Sequence, residues 1–497
     1  MKRIYIIIVT AIISLFIFSA CNKSWLNPAA EGQLSSVDSS FLDPANAQKF
    51  VNACYTQLLN WDASSFAWIG VTSIASDDAD KGSSPGDVGS DKDQMDAITW
   101  TPTSSSPAGV FSAYFLGVNY CNEALFNVPK FKLETSVQER YLAEAKFLRA
   151  YYYFTLVRTF GDVPYKDTVV AQDDATIRKY NRRVSKDSIY ALIESDLKYA
   201  ISILPTRDQL NGEYGRASKG AATGLLAKVS MYEKKWQQAY DLTNQVINQS
   251  VGTYSLVNDY ATIWREVGEN SEESLFEIQS KSTSPFAAVQ QYSQVQGIRG
   301  GTFNVTNVYT GWGFNTPSTD LDNAFEPGDV RRKATIIHIG DTLFDGVVVI
   351  NAENAMYNYK AYPSNIAESY GNNTDYSNKN IRILRMGDIY LINAEAANEL
   401  GSTDVAQTSL NKVRNRAKLG NTTATTQADL RNAIWKERRV ELAMEHDRWY
   451  DLVRQGRAGV VMRALGKNFV DGKHEVFPIP QTEINSSNNV LTQNPGY

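Results

Sequence analysis

Apolar residues recur at helical spacing over most of this 497-residue chain. Phe50, Val51, Cys54, Tyr55, Leu58 and Leu59 mark a first helix, opened by Asp43-Pro44 and running to about residue 61. Pro107 opens a second, to residue 127. Ser136-Val137-Gln138-Glu139 has the form of a capping box ahead of a third, over 137–160. That helix is apolar on nearly every face in its second half (Phe147, Leu148, Tyr151, Tyr152, Phe154, Leu156), which places it centrally in the fold. Gly161 and Pro164 end it. A further helix over 185–204 stops at Pro205, and the stretch 431–457 reads as one long helix with Gly456 at its end.

Residues 216–250 and 389–418 each carry a helix-hairpin pattern. Their small-residue and aromatic spacing resembles a tetratricopeptide unit of about 34 residues. Such hairpins cannot bury their faces alone and must stack on neighbours. The chain is therefore expected to be mainly α, a helical scaffold over about 44–250 and 381–457. Two stretches break the pattern. Residues 63–103 are rich in Gly, Ser and Asp, as in an irregular loop. Residues 251–380 accumulate Gly, Asn, Thr and Tyr, with short β-like runs at 275–279 and 346–350. So long an irregular stretch in a compact protein is usually functional, and both regions are candidates for a site. Residues 458–497 read as an extended C-terminal segment.

Within 431–457, Glu437, Glu441 and Glu445 are spaced four apart and stack on one helix face. Only His446 is near enough to join them as a metal ligand, and neighbouring arginines would lower their pKa values, which disfavours a general acid. A salt-bridge ladder with Arg438 and Arg448 is the expected arrangement, and no metal is expected. The Asp-rich part of 63–103 lacks the spacing and closing Glu of a calcium loop.

The run from Glu437 to Gly456, ER-x-x-E-x-x-x-E-x-x-RW-x-DL-x-R-x-G, resembles the signature of the SusD/RagB family. Further matches follow in the family's order: LAEAKFLRAYYYFTLVRTFGDVPY (142–165), ILRMGDIYLINAEAANEL (383–400), LNKVRNRA (410–417) and VFPIPQTEINSSNNVLTQNPGY (476–497). DNAFEPGDVRR, with Asn323, Phe325, Glu326, Asp329 and Arg331, also matches and reads as structural. The family usually has Gly where this chain has His446. The resemblance covers nearly the whole mature chain. It implies one SusD-like domain over 44–497, with a loop-rich ligand region at about 251–380. It also implies a non-catalytic surface lipoprotein that captures nutrients for a TonB-dependent outer-membrane transporter and acts as its hinged lid.

Lys2 and Arg3 followed by apolar residues 4–18 form a signal segment over 1–20. Phe18-Ser19-Ala20-Cys21 looks like a lipobox, making Cys21 the lipidated first residue of a leader over 21–43; acyl chains alone give stable anchoring. The expected location is the outer membrane, lipid-anchored and facing the cell exterior. Cys54 and Cys121 lie in apolar helical patterns, as a disulfide or as buried thiols. A net charge of −5 without a basic block argues against nucleic acid as a partner.

Enzyme readings find little footing. None of the three His (His338, His446, His474) sits in a nucleophile motif, and no Walker or dinucleotide glycine fingerprint follows a strand, so no cofactor is expected. No carboxylate pair stands out for a glycosidase. A sugar ring instead needs a flat aromatic against its C–H face and polar groups at its rim, and Tyr, Phe and Trp are plentiful here (27, 20 and 9). Trp312, between Gly311 and Gly313, heads the candidates for ligand contact. Tyr292, Tyr309, Phe314 and Trp100 join it, with Asp77, Asp78 and Arg299 as polar partners by loop position and family analogy. Trp61 and Trp68 read as core. The expected ligand is an oligosaccharide held with moderate affinity; a peptide ligand, a lid without its own ligand site and a glycosidase are the rivals.

Overall fold

A computed structural model describes residues 43–497 apart from 85, 88–90, 171–172, 281–290 and 370–378. The signal segment, Cys21 and the leader up to residue 42 lie outside the described residues. The apolar runs form α1 (Ala45–Thr56), α2 (Ser105–Asn127), α3 (Thr135–Phe160), α4 (Lys186–Ile203), α5 (Lys219–Tyr232), α6 (Trp236–Ile247), α7 (Met386–Glu399), α8 (Thr403–Arg416), α9 (Gln427–Glu441) and α10 (Arg448–Arg454). Helix α3 is central: α1, α2 and α4 all pack on it, and Phe147, Leu148, Tyr152, Phe154 and Leu156 are buried there. Gly117 of α2 meets the Tyr152 ring so closely that a Cβ would stand 2.6 Å from it, so only glycine lets these helices close. The Ser136–Glu139 capping box does not form. The helix begins before Ser136 with Glu134 as N-cap and no side-chain bond, which leaves Ser136 inside the first turn.

Both expected hairpins exist, α5 with α6 and α7 with α8, and α6 packs against α7 to join them. A buried polar stitch runs through this junction. Asn393 Nδ2 donates to Thr243 Oγ1 at 2.9 Å, and Ser409 Oγ donates to Asn393 Oδ1 at 2.7 Å. The irregular regions supply short strands: β1 (Ala79–Gly82), β2 (Ser274–Ile278), β3 (Phe314–Pro317), β4 (Ile336–His338), β5 (Met356–Asn358) and β6 (Ile381–Arg385). They pair antiparallel as β1–β3, β2–β6 and β4–β5. Ile298, Ile337, Leu343, Val347, Val349 and Tyr357 give this part of the chain an apolar cluster of its own. The C-terminal segment, expected to be extended, contains two short helices, Ala458–Ala464 and Gln481–Ser486. Cys54 and Cys121 are buried free thiols.

The stretch read as one helix over 431–457 breaks after Glu441 and resumes at Arg448. Met444 and His446 take φ of 61° and 70° in the gap, left-handed backbone that costs a residue with a Cβ and suits glycine. His446 is held there by its ring. It stacks on Trp68 with centroids 4.1 Å apart, its Nδ1 is 3.1 Å from Thr72 Oγ1, and its Nε2 is 3.0 Å from Tyr292 Oη.

The break sends Glu445 to Arg385 (2.8 Å) and Lys360 (2.7 Å). Glu437 meets Arg331 at 2.6 Å and Arg414 at 2.9 Å. Glu441 meets Arg331 at 3.0 Å and also pairs with Arg385 and Arg416. A buried ion network therefore forms, but only Glu437 and Glu441 share a helix face, and the cations differ from those expected. Arg438 points away from it, to Asp388 (2.7 Å) and Asp451 (3.2 Å), because adjacent helical residues do not share a face. Arg448 pairs with Asp77 at 2.7 Å. Burial opposes the charge on Glu441, yet Arg416, Arg385 and Arg331 outweigh it and hold this carboxyl well below the usual range. At Glu437 burial wins over Arg331 and Arg414 and raises the pKa.

Glu441→Ala leaves buried guanidiniums without their shared anion and should cost about 3–5 kcal/mol, read from urea unfolding by circular dichroism. A loss under about 1 kcal/mol, the level of an exposed pair, would contradict the burial of this network.

Burial, with help from Lys360, lowers the His446 pKa to about 3. An unfolded imidazole titrates near ~6.5. Below that pH the unfolded chain takes up a proton that the native site refuses. This share of stability is thus full above pH ~6.5 and is lost toward acid by up to ~1.4 kcal/mol per unit. His474, lowered to about 4 by burial and then Lys473, adds to the same window. His446→Asn tolerates the left-handed backbone and does not titrate. It should flatten unfolding free energy against pH between about 6.5 and 5; a slope equal to wild type would mean that His446 is protonated in the native state.

Candidate functional site

Two short helices, Trp61–Ser64 and Phe66–Ile69, follow α1. Asn60 caps the first by accepting from Asp62 N at 2.9 Å, and Ser65 (φ −129°, ψ −117°) breaks the chain between them. Trp61 and Phe66 are left half-buried at the surface. Residues 311–313 come to meet them from the irregular region. Trp312 N donates to Gln294 O at 2.8 Å, and Gly313 N donates to Gly297 O at 3.0 Å. A Cβ on Gly311 would stand 2.3 Å from Gln294 O, so glycine permits this contact between two backbones.

Trp312 is half-buried and meets Trp61 edge-on at 5.8 Å and Phe66 at 6.3 Å. Behind it Phe314 packs on Phe66 at 5.0 Å. Arg299 sits beside the Trp312 backbone, its Nη1 2.7 Å from both Asp87 Oδ2 and Ser83 Oγ and 3.3 Å from Trp312 O. Its Nε is 3.2 Å from Glu353. Beneath Phe66 the buried Lys92 ammonium lies 3.8 Å from the ring centre and pairs with Asp91 at 2.9 Å. Burial raises the pKa of nearby Asp62 against the pull of Lys92. The Asp87 carboxyl is held low, first by its bond from Ser83 and also by Arg299. Half-exposed rings beside a positioned guanidinium and carboxylates are equipped for recognition of a flat face with a polar rim.

Of the sequence candidates, Trp312 and Arg299 meet at this cluster; the others serve the core. Trp100 is 2% exposed, packs on Phe477 (4.4 Å) and Trp449 (5.6 Å), and donates Nε1–H to Tyr497 Oη at 2.7 Å. A ligand cannot reach that ring. Tyr292 and Tyr309 are buried too, the former against His446, and Phe314 is buried against Phe66. Asp77 and Asp78, expected as polar partners of a ligand by loop position and family analogy, lie in a segment, residues 71–79, that is buried throughout. Asp77 binds Arg448 through both oxygens at 2.7 Å, and Asp78 binds Arg439 at 2.7 Å. Burial would raise Asp77, but Arg448 and Arg439 bring it below the usual value. In Asp78 burial prevails over Arg439, aided by Asp77.

Trp61, expected in the core, is half-buried at the surface, and Phe66, not among the residues expected at a site, stands beside it. The signal used for Trp312, aromatics set among small and polar residues, was present in WDASSF as well. Other carboxylates of the Asp-rich stretch are paired with lysines: Asp93 with Lys81 at 2.9 Å and Asp96 with Lys467 at 2.7 Å.

Two family models match the chain. One, described as the SusD family, covers residues 272–497; the other, described as starch-binding and associating with the outer membrane, covers residues 31–231. SusD-like protein P2 of Formosa agariphila is 27% identical over 98% of this chain and 99% of its own length. Among solved structures, a laminarin-binding SusD-like protein superposes with a TM-score of 0.78 at 27% identity, over 92% of this chain and all of that one. Surface glycan-binding protein A from Bacteroides fluxus does so with a TM-score of 0.76 at 25% identity, with the same coverage of this chain and of its own. One match takes in the N-terminal helices and the other the strand-rich region with everything after it, and with one helical architecture throughout they make this chain a member of the SusD/RagB family.

Proposed function

We propose that this protein is a surface lipoprotein that binds a nutrient glycan at Trp61, Phe66 and Trp312 and delivers it to a TonB-dependent outer-membrane transporter whose lid it forms. The observation that carries the binding step is Trp312, half-exposed and set edge-on to Trp61 and Phe66 on a glycine-built loop. Sugar C–H faces lie against the rings, while Arg299 and the carboxylates of Asp87 and Glu353 take hydroxyls at the rim. Few rotatable bonds are frozen in such rings, so the site starts close to its bound shape. Moderate affinity suits release to a transporter. Cys21 supplies the lipid anchor, and the protein faces the cell exterior.

No catalytic step is assigned to this site: the carboxylates Asp87 and Glu353 are tied to Arg299, and the relatives' names describe binding proteins. Laminarin, which one structural relative binds, is the first glycan to test.

The protein starting after Cys21 should be retarded in a native gel containing laminarin or another neutral polysaccharide. Trp312→Ala should weaken calorimetric affinity about tenfold, ~1.4 kcal/mol, with unfolding unchanged. Binding that survives Trp312→Ala and Trp61→Ala undiminished would place the ligand elsewhere. Binding of peptides but of no glycan would instead make this a peptide receptor.

A further inference from the structure

The far ends of the helical scaffold enclose two adjoining clefts that share no lining residue with the Trp61–Trp312 cluster. The first, about 510 Å³, lies where the end of α3, the start of α4, the end of α5 and α10 converge; Tyr190, Tyr232 and Tyr450 line it with Arg158. The second, about 360 Å³, is lined by Trp236 and Trp435 with Glu395 and Gln455. Tyr232, Lys234 and Arg454 belong to both, so the clefts continue one into the other. Each has the size of a small-ligand site.

The rings here are neither core nor scattered surface. Tyr190, Tyr232, Trp236 and Trp435 are all half-buried, and together they give the groove aromatic faces along its length. Polar groups between them are fixed in advance. Arg454 grips both oxygens of Glu395, at 2.7 and 2.8 Å, and Trp435 Nε1–H donates to the same carboxylate at 3.0 Å. The Arg158 guanidinium is clamped between the rings of Phe154 (4.0 Å) and Tyr450 (4.2 Å).

Three buried polar atoms of the lining residues have no hydrogen-bond partner: the acceptors Glu233 Oε2 and Glu475 Oε2, and the donor Gln455 Nε2. Groups of this kind cost free energy until something satisfies them. Walls that carry both donors and acceptors suit a hydroxyl, which does both. Acidic and basic side chains lining the groove are equal in number, which favours a neutral ligand over a polyanion.

From this combination we infer that the groove running from Tyr190 through Tyr232 to Trp435 is a second carbohydrate-binding site, which takes a neutral hydroxyl-rich chain. The inference rests on the glycan reading of the protein and adds to it a second foothold on the same molecule. Two weak sites on one chain hold a long polymer more firmly than either alone, without a tight site that would resist release.

Calorimetry and hydroxyl-radical footprinting test it, with laminarihexaose, maltohexaose, xylohexaose and mannohexaose as probes. A bound hexaose should protect Tyr190 and Trp435 from oxidation. Trp435→Ala and Trp312→Ala should each halve the stoichiometry, and the double variant should not bind; Tyr190→Ala replaces Trp435→Ala should the latter fail to fold. If Trp312→Ala abolishes all binding and Trp435 is unprotected, this inference falls and the first site stands. If Trp435→Ala abolishes all binding, the first site falls and this one stands. No heat and no protection with any of the four hexaoses overturns both. Protection of Trp435 by a tryptic peptide mixture and by no hexaose would overturn the carbohydrate assignment.

Discussion

Glu441 bears a negative charge where water does not reach, and Arg331, Arg385 and Arg416 converge on it from distant parts of the chain. Arg331 lies within the strand-rich region, between β3 and β4, Arg385 ends the strand that leads into α7, and Arg416 ends α8. A buried charge is tolerated only when its partners stay in place. This one contact therefore fixes where the irregular region sits against the helix hairpins. Glu273, at the start of β2, joins the same group through Arg385 (2.8 Å) and Arg416 (3.0 Å). Asp329 completes the shell around Arg331 at 2.7 Å.

The position of the aromatic cluster follows from that anchoring. Trp312 belongs to the irregular region and Trp61 to the helices after α1, so they meet only because the two parts are locked together. Pairing of β1 with β3 (Gly82 opposite Phe314) and the bond from Arg299 to Asp87 tie the same seam closer to the surface. Asp77 and Asp78, held by Arg448 and Arg439, pin the buried segment that leads into β1. Asp77 and Asp78, expected as polar partners at a site, thus hold the irregular region in place. The second groove has another origin. It opens where hairpin ends and α10 leave a gap, and it involves none of the strand-rich segment.

His446 shows how a local departure can be absorbed. Glycine would take the left-handed backbone at this position without penalty, and this chain spends a histidine there instead. Stacking on Trp68, with hydrogen bonds to Thr72 and Tyr292, accounts for its ring. Tyr292, a candidate ligand residue by its loop composition, is occupied by this contact.

The linear pattern was enough for the helices and both hairpins, because a 3.6-residue apolar period reports a buried face wherever that face ends up. It was also enough for the pairing of Glu437 with Glu441, since four-residue spacing stacks side chains on one face of a helix, whereas Glu445 lies past the end of α9. Which arginines answer those glutamates was not legible: Arg331, Arg385 and Arg416 are far from Glu441 in sequence, and only the packed chain brings them together. The break after Glu441 was hidden for the same reason, as good helix formers continue through it and tertiary contacts override their propensity. At the site, the glycines around Trp312 marked an unusual backbone, but composition could not separate a ring on the surface from one beneath it. Trp100 is buried and Trp61 half-buried at the surface, the reverse of what composition suggested, because burial depends on what the rest of the chain lays over each residue, and that is decided only in three dimensions.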